Sequence, residues 1–203
     1  HSGVDLTVFR PQENNIKEKY NITDKQKIII GCANIWNARK GLDDFLYLRH
    51  RFKKGDSSIV LIGLTKKQIK HLPQGIIGIE RTESVSDLAS LYSVADVFVN
   101  PTTADNFPTT NIEALACGVP VVTYNTGGSG EAVDEYTGVV VDKGDKEKLW
   151  QAVSQVLDKG KYHYSSHCVA RAKDKFNKDD RYNDYVNIFK EKVSRKKNEC
   201  NTQ

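Results

Sequence analysis

Between residues 27 and 141 short β-branched runs alternate with longer stretches whose apolar residues recur at helical spacing, and few architectures accept that alternation. Lys27-Ile28-Ile29-Ile30-Gly31-Cys32 is apolar at successive positions, as a strand covered on both faces must be. The same pattern returns in Ser58-Ile59-Val60-Leu61-Ile62-Gly63, Ile76-Ile77-Gly78-Ile79, Val97-Phe98-Val99-Asn100-Pro101, Val119-Pro120-Val121-Val122-Thr123 and Gly138-Val139-Val140-Val141. Between these runs, Leu42, Phe45, Leu46 and Phe52 share a helical face from Gly41 onward. Val85, Leu88, Leu91 and Tyr92 share another, and Ile112 to Cys117 reads as a short helix. Strand–helix–strand alternation predicts an α/β fold: a Rossmann-like, doubly wound parallel sheet of about six strands flanked by helices.

Beyond residue 141 the period is helical only. Leu149, Val153, Val156 and Leu157 line a helix expected from near Asp145 to Gly160, and Tyr182, Tyr185, Val186, Phe189 and Val193 line a last one. Residues 1–25 form an irregular lead-in and residues 178–203 a C-terminal helix and tail, so that 1–203 reads as a single domain with extra C-terminal helices. Its 203 residues are enough to bury a substantial core. A net charge of +4 is too small to argue for nucleic acid. No segment approaches the roughly 18 consecutive apolar residues of a membrane span, so membrane contact is expected to be peripheral at most. The four cysteines (Cys32, Cys117, Cys168 and Cys200) are scattered without zinc-like spacing, which favours a reducing, cytoplasmic compartment. There is no methionine, so His1 follows no initiator and the chain reads as part of something longer.

In open parallel sheets ligands bind beyond the carboxyl ends of the strands, which directs attention to three loops. In Asn34-Ile35-Trp36-Asn37-Ala38-Arg39-Lys40-Gly41, Arg39 and Lys40 have the charge to clamp a diphosphate, though a solvated basic pair would look the same. The loop carries no Walker A pattern, and Trp36 either covers the core, the favoured reading, or stacks on a ligand. In Asp105-Asn106-Phe107-Pro108-Thr109-Thr110-Asn111-Ile112-Glu113, Thr109 or Thr110 is positioned to cap a helix whose amides would attract an anion. Glu113, one turn in, suits the two hydroxyls of a ribose, and Asp105 suits a sugar ring; alternatively Asp105 starts a turn and Glu113 complements the helix dipole. In Asn125-Thr126-Gly127-Gly128-Ser129-Gly130-Glu131 the third glycine of a dinucleotide fingerprint is missing, so a tight turn is the simpler explanation. His50, His71, His163 and His167 read as solvated surface residues.

Taken together the motifs resemble the C-terminal, donor-binding domain of a family 4 (group 1) glycosyltransferase, one half of a GT-B fold. Gly3 to Pro11 is similar to that family's GIDxxxFxP junction and Arg39-Lys40-Gly41 to its (R/E)KG loop. Asp105 to Glu113 is similar to its E-x7-E motif, Glu113-Ala114-Leu115-Ala116-Cys117-Gly118-Val119-Pro120-Val121-Val122 to EAxAxGxPVV, and Gly127-Gly128 through Glu131 to GGxxE. Two positions depart from the pattern: Asp105 is one methylene shorter than the usual Glu, and Asn34 stands where many members carry an Arg.

The resemblance implies a retaining hexosyltransferase that moves a sugar from a UDP- or GDP-linked donor to a glycan or lipid-linked acceptor, as in polysaccharide assembly, without a bound metal or other cofactor. Lys40 and Arg39 would neutralise the diphosphate, and Asp105 would meet the transferred sugar. Glu113 would hold the ribose, and the segment Asn106, Phe107, Pro108, Thr109 and Thr110 would hold phosphate and sugar oxygens through its amides. The resemblance also implies that the N-terminal, acceptor-binding domain is missing. This chain alone is then expected to bind nucleotide but turn over little, in the cytoplasm or at the inner face of the membrane. A sugar-nucleotide 2-epimerase and a non-catalytic nucleotide-binding module share the fold and are the alternatives. A nicotinamide dehydrogenase would need glycines where Trp36, Arg39 and Lys40 stand.

Overall fold

A computed structural model describes residues 3–53 and 55–180. Six parallel strands form one sheet: β1 (Lys27–Cys32), β2 (Ser57–Ile62), β3 (Ile76–Ile79), β4 (Val97–Asn100), β5 (Val121–Tyr124) and β6 (Gly138–Val141). Their order is β3-β2-β1-β4-β5-β6, that of a doubly wound sheet, with the reversal between β1 and β4. The strands are short and β-branched because both faces are covered: Ile28, Ile29, Ile30, Val60, Leu61, Val97, Phe98 and Val122 are wholly or almost wholly buried. Gly31 is part of that packing, since a Cβ there would lie 2.4 Å from the Phe45 ring.

Among the described residues the strands are connected and covered by α1 (Ile16–Lys19), α2 (Leu42–Arg51), α3 (Lys66–Lys70), α4 (Val85–Val94), α5 (Thr109–Ala116), α6 (Lys146–Lys159) and α7 (Ser165–Phe176). α2 packs beside α6, while α4 and α5 pack together with α1 and α7 against them. This is how right-handed crossovers distribute helices when strand order reverses at the sheet centre. The expected helix from Asp145 to Gly160 is α6, with the Asp145 side chain accepting from the Lys148 amide and Gly160 at φ 82° ending it.

Several expectations need correction. α3 and α7 were not foreseen. α5 begins at Thr109, three residues before the expected Ile112, and its N-cap is Pro108 with no side-chain acceptor, so neither Thr109 nor Thr110 caps it. Val85 lies at the exposed start of α4, 57% accessible, where the helix has not yet reached the sheet. The lead-in is anchored: the Val4 amide donates to the Phe176 carbonyl at 2.7 Å and the Lys178 amide to the Val4 carbonyl at 3.0 Å. The helix expected over Tyr182 to Val193, like Cys200, lies outside the described residues. No helix among the described residues is long and apolar enough to cross a membrane.

Candidate functional site

The loops leaving β1, β4 and β5 converge at the carboxyl edge of the sheet, where the order reverses. The loop after β1 is held by Trp36, whose indole N–H donates to the Ile62 carbonyl at 2.8 Å and whose ring meets Phe45 edge-on. Trp36 is thus a core residue, as its sequence context predicted. Gly41 turns the loop into α2 with φ 79°; a Cβ at this position would stand 2.7 Å from the Pro101 carbonyl oxygen, so the first two loops touch here. The Thr103 amide also donates to the Arg39 carbonyl at 2.9 Å. Backbone thus fixes Arg39 and Lys40 against the β4 loop.

A crevice of about 600 Å³ opens between these loops, lined by Cys32, Asn34, Arg39, Lys40, Asp105, Phe107, Pro108, Thr109, Thr110 and Glu113 among others. An adjoining hollow of about 310 Å³ runs along Arg39, Asp105, Asn106 and Phe107. The ligand residues expected from the first two loops therefore line one or other of two hollows that share Arg39, Asp105 and Phe107, whereas Gly127, Gly128 and Glu131 line neither. A different hollow, of about 400 Å³, lies at the opposite edge of the sheet and contains none of them. Its lining includes the ion pairs Lys17–Asp24 at 3.1 Å and Lys27–Asp96 at 3.6 Å.

Within the crevice the charges are arranged, not scattered. Lys40 Nζ donates to Asp105 Oδ2 at 2.7 Å, both side chains being three-quarters buried or more. Arg39 is exposed and has no side-chain partner among the described residues. The amides of Thr109 and Thr110, at the uncapped start of α5, find no acceptor among the described residues either. Glu113 is half-buried; desolvation raises its pKa above the ordinary carboxylate range, opposed by hydrogen bonds from the Tyr92 and Thr109 hydroxyls. Cys32, on the crevice floor, is pushed up to about 12 by burial and is held as the neutral thiol. Among the described residues no cluster of three or more His, Cys, Asp or Glu could hold a metal ion. His50, His71, His163 and His167 all lie on the surface, away from these loops.

Beneath the crevice lies a polar network that the sequence did not reveal. Asn111, fully buried in the first turn of α5, accepts from Asn100 Nδ2 at 2.8 Å and donates through its own Nδ2 to the Ser129 carbonyl at 3.0 Å. Thr123 and Thr126 donate to the Asn100 and Thr102 carbonyls at 2.8 and 2.9 Å. These bonds join the ends of β4 and β5 to the helix that carries Glu113. Asn111→Ala is expected to leave the Asn100 amide and the Ser129 carbonyl unpaired in a dry site, at about 2–4 kcal/mol; urea unfolding with an unchanged m-value measures it.

Residues 26–159 match the profile of a family described as Glycosyl transferases group 1. The chain belongs to this family. It is 26% identical over 176 residues to a GDP-mannose-dependent monoacylated alpha-(1-6)-phosphatidylinositol monomannoside mannosyltransferase of Corynebacterium glutamicum, a match covering 77% of this chain and 46% of that one. It resembles the Anabaena protein Alr3699/HepE, solved in complex with UDP-glucose, at a TM-score of 0.77 and 17% identity, covering 93% of this chain and 56% of that one. It also resembles the C-terminal domain of a glycosyl transferase group 1 family protein (LpcC) from Francisella tularensis, at a TM-score of 0.70 and 22% identity, covering 86% of this chain and 99% of that domain. The chain spans less than half the length of the curated relatives it matches. In fold and extent it corresponds to the C-terminal half of a group 1 GT-B glycosyltransferase.

Proposed function

We propose that this chain is the donor-binding half of a retaining glycosyltransferase of family 4 and that the crevice between β1 and β4 takes a nucleoside diphosphate sugar linked to UDP or GDP. The observation that carries this is the convergence of Lys40, Arg39, the uncapped amides of α5 and, one turn further along that helix, Glu113 on one crevice. A diphosphate carries negative charge to the cations and amides, and a ribose offers two hydroxyl donors to Glu113. Asp105 gives one carboxylate oxygen to Lys40, and its other oxygen has no partner among the described residues, which suits a hydroxyl of the transferred sugar. The amides of Asn106, Phe107, Thr109 and Thr110 take phosphate and sugar oxygens. Stabilising the leaving diphosphate falls to Arg39, Lys40 and the helix amides, with no metal or other cofactor.

GDP-mannose in the name of the Corynebacterium relative and UDP-glucose beside HepE support a hexosyl nucleotide and leave both bases open. The reacting acceptor, a glycan or lipid-linked sugar, would be bound by an N-terminal domain of the parent protein. We propose that these 203 residues alone bind nucleotide and turn over little or nothing, since they match less than half the length of the curated relatives. The parent enzyme would work in the cytoplasm or at the inner face of the membrane, in polysaccharide assembly.

Isothermal titration with UDP, GDP and ADP tests the reading. One of the first two is expected to bind, and Glu113→Gln to weaken it by about tenfold, since hydrogen bonds to a charged acceptor contribute about 1.5–3 kcal/mol. The pH dependence has a definite sign. Glu113 must be ionised to accept from both hydroxyls, and its raised pKa keeps it protonated to a higher pH than a free Glu. The advantage of wild type over Glu113→Gln should therefore be full near pH 8 and shrink as pH falls through that raised value. Taking the difference cancels titration of the phosphate. A difference that stays constant from pH 8 down to about pH 4, below even the ordinary carboxylate range, would exclude an ionised Glu113 as the ribose acceptor.

A further inference from the structure

Tyr92 is a buried titratable group with no part in the chemistry so far described. It lies in the last turns of α4 with 0% exposure, its ring fixed by Phe98 at 5.4 Å and 74° and by Phe9 at 6.1 Å and 52°. Two aromatic neighbours at those angles leave the ring no alternative orientation, so the hydroxyl's place is set by the core. The hydroxyl points to the underside of the crevice, where it donates to Glu113 Oε2 at 3.3 Å, beside the Cys32 thiol. A buried phenol needs an acceptor, and a half-buried carboxylate needs donors. Tyr92 and Thr109 are the side chains that supply them to Glu113, one from another helix and one from its own first turn.

A carboxylate free to rotate would lose one of the two orientations a vicinal diol requires. We propose that Tyr92 is a positioning residue for Glu113: its hydroxyl holds one carboxylate oxygen from beneath, so that the carboxylate faces a nucleotide's ribose. This rests on the assignment of Glu113 to the ribose and makes Tyr92 a contributor, through Glu113, to the site's preference for ribose over a sugar lacking those hydroxyls. The bond is long for an O–H···O contact, as active-site hydrogen bonds often are before ligand binds, and it has room to shorten when the diol draws on the carboxylate.

The test compares UDP and GDP with their 2′,3′-dideoxy analogues by calorimetric titration of the full chain. Wild type is expected to prefer the ribose form of whichever base it binds by about tenfold or more. Tyr92→Phe keeps the ring and its aromatic contacts, and should reduce that preference to about threefold with the dideoxy affinity unchanged. In a Glu113→Gln background the same substitution should change nothing further, because the hydroxyl acts through the carboxylate. Equal losses for ribose and dideoxy ligands would make Tyr92 merely structural and overturn the proposal. So would a Tyr92→Phe variant that keeps the wild-type preference while Glu113→Gln abolishes it. If Glu113→Gln itself leaves the preference intact, the assignment of the ribose to Glu113 fails first. Should Tyr92→Phe not fold, Thr109→Val removes the other hydroxyl from which Glu113 accepts, and an intact preference there would overturn the idea that such donors orient the carboxylate.

Discussion

Lys40→Ala should lower the affinity of the chain for UDP or GDP by about two orders of magnitude, more than any other single charge removal in the crevice. The ammonium is held at 2.7 Å from Asp105 with about a quarter of its side chain exposed, so it acts in a medium less polarisable than water. Two unit charges 4 Å apart interact by about 4 kcal/mol at an effective dielectric of 20, against about 1 in bulk water. Truncating one partner of such a pair also leaves the other uncompensated: Asp105 would then face the incoming diphosphate with its charge unopposed. A net cost of about 2–4 kcal/mol follows. Lys40→Ala combined with Asp105→Asn should recover part of the loss, because the repulsion disappears with the second charge. Arg39→Ala should cost less, its guanidinium being exposed and screened by salt. Calorimetry at two ionic strengths measures all three. If Lys40→Ala binds within twofold of wild type, the diphosphate lies elsewhere in the crevice.

The residues of that argument were legible because local chemistry names them. A lysine beside an arginine before a helix-opening glycine, and two carboxylates eight positions apart, are visible without a fold. The strands were legible for a related reason: runs such as Ile28 to Ile30 and Ile59 to Ile62 are too apolar and too short for a surface helix. What stayed hidden depends on partners distant in sequence. Asn111 shows nothing special until Asn100 and the Ser129 carbonyl are brought to it from 11 and 18 positions away. Tyr92 counted as one more apolar residue on a helical face, and only folding places its hydroxyl under Glu113. α7 was missed because Cys168, Ala172 and Phe176 make a faint stripe among lysines, two of the three being small. The start of α5 was misplaced because Pro108 fills the cap by backbone conformation alone, with φ −72° and ψ 115°, while the threonines that look like caps enter the first turn.

The glycine pair after β5 shows how a residue remote from any ligand can govern the site. Read alone, Gly127-Gly128 is a tight turn; in the fold it is the surface on which the Asp105–Asn106 backbone lies. A Cβ at Gly127 would stand 1.9 Å from the Asp105 carbonyl oxygen, and one at Gly128 would stand 2.1 Å from that of Asn106. The two differ in a useful way. Gly127 has φ 48°, so a side chain there is strained whatever the space, whereas Gly128 has φ −86°, which any residue adopts. Gly128→Ala therefore acts only through the contact. The obstacle is a backbone carbonyl, which cannot swing aside like a side chain, so the loop bearing Asp105 and Asn106 must lift by about 1 Å toward the crevice. Misplacement on that scale costs about a hundredfold where ligand groups must meet fixed donors. The expected result is nucleotide-sugar affinity reduced by about that factor, with thermal unfolding lowered by only a few degrees, because the contact lies at the sheet edge and leaves the core intact. An alanine variant with wild-type affinity would mean that this loop does not shape the ligand site. Collapse of stability in step with affinity would mean that the glycines serve the fold and not the crevice.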